Sequence, residues 1–97
     1  MKIIAREKTE NCFKGNFEFK YVFDTLWTKN TIHALEIFGQ LKYYESFPRP
    51  MFQLTCTCGS FIKGIQDTNE CRIIYNRDKL ELMKRFEKQL EEIINSF

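Results

Sequence analysis

The sequence predicts an α+β fold, an antiparallel meander of about six strands covered on one face by a long C-terminal helix, in a single domain over residues 1–97. Three observations predict it. Aromatic rings recur at every second position in Phe17, Phe19, Tyr21 and Phe23, the period of a strand with one apolar face. A second alternation, Phe52, Leu54, Cys56 and Cys58, leads into turn residues and further β-branched runs. Finally, Leu80, Met83, Phe86, Leu90, Ile93, Ile94 and Phe97 recur at three- and four-residue steps with charged residues between them, the period of an amphipathic helix.

Composition sets the class. Hydrophobic residues make up 43% and aromatic residues 15%, enough for a core, while 29% charged residues argue against a membrane-embedded chain. The net charge is +2 and is spread along the sequence, which argues against a nucleic-acid or anionic-membrane partner. The apolar run at Ile3, Ile4 and Ala5 ends at Arg6, too short for a signal peptide or a membrane span, so a cytoplasmic location is expected.

In chain order, residues 2–6 read as a first strand, and Lys14, Gly15 and Asn16 supply turn chemistry before the aromatic strand, which is expected to run on to Trp27. Residues 31–44 fit two periods. Ala34, Ile37, Phe38, Leu41 and Tyr44 form a helical stripe, whereas Leu35, Ile37, Leu41 and Tyr43 fit a strand. Pairing favours the strand. A turn at residues 28–30 sets Phe23 opposite Leu35, Tyr21 opposite Ile37, Phe19 opposite Gly39 and Phe17 opposite Leu41, so each ring meets an apolar partner or a glycine that it covers.

Pro48 and Pro50 mark residues 45–50 as a loop. Residues 51–58 form the next strand. A two-residue turn at Gly59-Ser60 then places Cys58 opposite Phe61, Cys56 opposite Lys63 and Leu54 opposite Ile65. A turn around residues 67–69 pairs Ile65 with Cys71, Lys63 with Ile73 and Phe61 with Tyr75. From Asn76, a good N-cap, some twenty helical residues span about 30 Å, enough to cross the sheet. In layer architecture alone this plan is similar to pleckstrin-homology and helix-grip domains, with no sequence motif of either.

Chemistry is sparse. Cys56 and Cys58 point to one side of a strand, but Cys71 falls about 10 Å away across the sheet, too far for shared tetrahedral ligation; the cysteines therefore read as core thiols with no metal. His33 is the only histidine and has no glycine-flanked nucleophile, and no phosphate-cradling loop occurs, so neither an enzyme nor a cofactor is expected. Two features stand out in the expected registers. Lys63 falls on the inner face as a ligand-facing charge, and Lys20, Phe38, Ile62 and Ile74 line up on the outer face as a partner surface. The expected function is a small non-catalytic cytosolic protein-binding module, an adaptor or inhibitor, using the outer face toward a protein partner or a second copy. The alternatives are a carrier of an apolar small ligand between sheet and helix, anchored by Lys63, and a single-stranded nucleic-acid binder.

Overall fold

The computed structural model describes residues 1–9, 16–46, 48–57, 59–76 and 81–95. Strands β1 (Ile3–Lys8), β2 (Phe17–Phe23), β3 (Gly39–Tyr44), β4 (Met51–Cys56), β5 (Phe61–Ile65) and β6 (Glu70–Tyr75) form one six-stranded sheet, and the helices are α1 (Lys29–Ala34) and α2 (Met83–Ile94). The order across the sheet is β1-β2-β6-β5-β4-β3, with every neighbouring pair antiparallel. The α+β plan expected from sequence is therefore the plan of the molecule.

The aromatic strand behaves as its period demands. Tyr21 and Phe23 are buried on the inner face, and the Phe19 ring meets Tyr75 edge-on at 5.9 Å. Its neighbour differs from the expected one. The strand does not pair with residues 31–44; it pairs with β6, setting Phe17 opposite Tyr75, Phe19 opposite Ile73 and Tyr21 opposite Cys71. Residues 31–44 are helical first and extended later: α1 continues as a 3-10 turn, Leu35–Phe38, and only from Gly39 does the chain extend.

The physical reason lies at Thr28 and Thr31. The Thr31 amide donates to Thr28 Oγ1 at 3.2 Å and the Thr28 amide donates to Thr31 Oγ1 at 2.9 Å, a reciprocal cap that satisfies orphan donors of the first turn. Ile32 and Leu35 then fall three apart on one face and are buried beside Trp27, which packs between Phe23 at 5.2 Å and Phe52 at 5.0 Å. Gly39 lies opposite Cys56, not Phe19. A Cβ there would stand 2.0 Å from the carbonyl oxygen of Thr55, so it is the closeness of the neighbouring backbone that requires glycine.

The two later hairpins also shift. Cys56 N donates to Ser60 O at 2.8 Å, and Gly59 N donates to Cys56 O at 3.0 Å with Gly59 at φ 96°, so the loop closes between Cys56 and Ser60 rather than around Gly59-Ser60. Leu54 therefore lies opposite Ile62, and Gln53 opposite Lys63. Between β5 and β6, Ile62 meets Ile73 and Lys63 meets Arg72. Shifts by odd numbers of residues exchange the faces of β5. Ile62 is fully buried in the core and Lys63 is on the outer face, the reverse of the sequence expectation.

Helix α2 covers the inner face with Phe86, Leu90 and Ile94, all buried. Its amphipathic stripe is as expected for these residues; the expected cap Asn76 lies well before Met83, and Cys12, Cys58, Leu80 and Phe97 lie outside the described residues. Phe38, expected on the outer face, packs inward with its ring 5.2 Å from that of Phe86. A polar cluster fastens the helix: Tyr21 Oη donates to Glu87 Oε1 at 2.7 Å, Arg6 Nη1 donates to the same oxygen at 2.6 Å, and the Tyr21 and Tyr75 hydroxyls are 2.8 Å apart. Burial, then the neighbouring tyrosine, holds the Tyr21 hydroxyl far above its ordinary pKa, and burial raises that of Tyr75 as well.

Candidate functional site

With both helices on the inner face, the candidate site is the other side of the sheet. Strand alternation determines what it presents. One row crosses five strands as Lys20, Arg72, Lys63, Gln53 and Lys42, each the register partner of the next. A parallel row runs Glu18, Ile74, Phe61, Thr55 and Gln40. On the other flank, Ile65, Met51 and Tyr44 are register partners across β5, β4 and β3. The face is thus a cationic band between two mixed bands.

Glu18 organises the band's centre. Its side chain is only 7% exposed, yet Lys63 Nζ approaches one carboxylate oxygen at 3.6 Å and Arg72 Nη1 the other at 3.5 Å, while Thr9 Oγ1 donates to it at 2.8 Å. A buried carboxylate needs such partners. The two cations are 43% and 48% exposed and share one counter-charge at distances longer than a good hydrogen bond, so neither cation is locked onto it. Lys20 is held by Glu70 at 3.2 Å. Among the described residues Lys42 makes no ion pair.

Between the cationic band and the apolar flank lies a hollow of about 240 Å³, lined among others by Met51, Gln53, Lys63, Ile65, Arg72 and the carboxylate-bearing Glu70. Ile65 is 38% and Tyr44 39% exposed, so this flank offers apolar surface to solvent. The hollow falls below the roughly 300–1,000 Å³ of pockets that enclose small molecules and suits a single side chain.

Of the residues expected to bind a partner, Lys20 and Ile74 are on this face, whereas Phe38 and Ile62 belong to the inner side. Lys63 is on the face as well, and the space between sheet and helix lacks the anchor it was expected to provide. Sequence reading passed over Arg72, Gln53, Lys42, Met51 and Glu18. Their signal was the polar alternation along each strand, which becomes one surface only in the correct registers.

The remaining chemistry-bearing residues stand apart. Cys56 and Cys71 are buried, and burial pushes the Cys71 thiol well above its ordinary pKa, which keeps it protonated. No group of three or more metal-ligating side chains occurs among the described residues. His33 is exposed on α1, with Nδ1 3.1 Å from Glu36 Oε1 and its ring 5.1 Å from Tyr43. Among the described residues no helix is long and apolar enough to cross a membrane.

The fold and face together define a class: an antiparallel sheet with helices on one side and a charged, hollowed sheet surface on the other. Beyond the class, comparison gives no relative, because no family model, no curated protein and no solved structure matches the chain.

Proposed function

We propose that the protein is a small non-catalytic binding module, of the adaptor or inhibitor type, that docks a protein partner on the outer face of its sheet. The observation that carries this reading is the coincidence on one face of a cationic band, a side-chain-sized hollow and exposed Ile65 and Tyr44. Exposed apolar surface rimmed by polar residues is characteristic of interaction sites. The carrier alternative is weakened by the position of Lys63, which lies across the sheet from the space it would have anchored.

Site-specific photo-crosslinking in the source cell tests the proposal. A photoreactive residue at Thr55, exposed in the outer face, is expected to capture a discrete protein, while one at Lys88, exposed on α2, is not. Equal capture from both positions, or capture from Lys88 alone, would overturn it.

A further inference from the structure

We infer that the occupant of this face is an acidic polypeptide segment with an aliphatic anchor, its carboxylates seated on Lys42 and on the Lys63–Arg72 pair and its apolar side chain in the hollow beside Met51 and Ile65. This deepens the docking reading and rests on it.

The charge inventory gives the sign. Across β2 to β3 the face carries the cations Lys20, Lys42, Lys63 and Arg72 and the carboxylates Glu18 and Glu70. Glu70 is engaged with Lys20, so positive charge is left over at the Lys63–Arg72 pair, which shares Glu18, and at Lys42. A partner meets these two places with anions. Spacing gives the segment's pattern: β3 and β5 are two strands apart and β3 and β6 three, about 10 to 14 Å at 4.8 Å per strand. An extended chain advances about 3.3 Å per residue with side chains alternating between faces, so acids four residues apart reach both places from one side, with the anchor midway between them on that same side.

The same features discriminate among occupants. A second copy of this face would set cationic band against cationic band, which is repulsive. A single strand of nucleic acid is held by stacked rings, and here Phe61 and Tyr44 lie two strands apart on opposite flanks of the band, with no ring in the band itself. The hollow offers Met51 and Ile65 instead, which suit a leucine- or isoleucine-like group.

The test uses the full chain and three probes: a short peptide of glutamate and leucine with acids four apart, its lysine-for-glutamate counterpart, and an oligothymidylate. Amide-shift mapping reports where each binds. The acidic peptide is expected to move outer-face residues of β3 to β6, more strongly at low salt. Lys42→Glu and Ile65→Asp, both at exposed positions, are each expected to weaken it about tenfold or more. Glu18→Gln keeps an acceptor for Thr9 yet frees Lys63 and Arg72 from their shared carboxylate, so it is expected to tighten binding about two- to fivefold. A purely structural role for Glu18 would give no gain.

Preference for the lysine peptide or the oligothymidylate, unchanged affinity in Glu18→Gln, or shifts confined to α2 would overturn the inference. Such a result alongside capture of a protein from Thr55 would remove the acidic partner and leave the docking face. Loss of capture from Thr55 would remove the docking face itself.

Discussion

Two glutamates on opposite sides of one sheet each gather several donors, and they do so differently. Glu87, on the inner side, accepts from Arg6 at 2.6 Å and Tyr21 at 2.7 Å, and through Tyr21 it reaches Tyr75. Glu18, on the outer side, has Lys63 and Arg72 at 3.6 and 3.5 Å. Short, directional bonds from two donors to one carboxylate fix one geometry; they fasten α2 to β1, β2 and β6. Long pairings between half-exposed cations and a shared carboxylate are readily exchanged for others. The comparison teaches that the inner charges are held in one geometry by short bonds, whereas the outer cations are held loosely and the proposed docking draws on them.

The largest expected effect that could break this division is at Ile62. The side chain is fully buried against Leu54 and Ile73, so Ile62→Asp places a carboxylate in the core, and the variant is expected to lose cooperative unfolding by circular dichroism. Next come cavities: Phe52→Ala and Phe86→Ala are each expected to cost about 3–5 kcal/mol in urea unfolding. A native-like midpoint for either would mean that the inner face is not closed by the helices.

The inner cluster makes a prediction in pH. The Tyr21 and Tyr75 hydroxyls are raised above the ordinary value of 10.0, principally by burial, so above that value the folded chain holds protons that the unfolded chain releases. Stability is therefore constant with respect to these groups below about pH 10 and falls as pH rises beyond it, by up to about 1.4 kcal/mol per pH unit for each tyrosine. Tyr21→Phe should make the fall shallower. A midpoint independent of pH between neutral and strongly alkaline solution would contradict the buried cluster. Smaller still, Lys63→Gln leaves Arg72 on Glu18 and is expected to change stability by less than about 1 kcal/mol.

Much of the fold was legible because period survives without knowledge of contacts. Phe17 to Phe23 and Met83 to Ile94 carry their faces in spacing alone, and among the described residues Tyr21, Phe23, Phe52, Leu54, Cys56, Cys71 and Tyr75, read as inward, are inward. Register was not legible. In β5, Phe61, Ile62 and Ile65 offer apolar side chains to both faces, so alternation could not choose between them, and the choice passed to the turns. There a glycine marks the left-handed position without saying which turn contains it, and moving Gly59 to the end of a longer loop exchanged Ile62 with Lys63. The segment after Trp27 failed for a related reason: the pairing argument across residues 31–44 was set against the helical stripe alone, and the Thr28–Thr31 cap, a local signal for helix, was read as a turn. The candidate site inherited both errors, since Phe38 and Ile62 were placed on a face that they do not share with Lys20 and Ile74.

The same substitution at two isoleucines of one strand gives the most direct test of the division between faces. Ile62 is fully buried inside, whereas Ile65, three residues on and 38% exposed, borders the outer hollow. Urea unfolding and Thr55 photo-crosslinking measured on Ile65→Asp beside Ile62→Asp are predicted to separate the two: Ile65→Asp keeps the wild-type midpoint to within about 0.5 kcal/mol and loses the crosslinked partner, while Ile62→Asp loses the fold. An unfolded Ile65→Asp, or a folded one that captures its partner as the wild type does, would contradict the account.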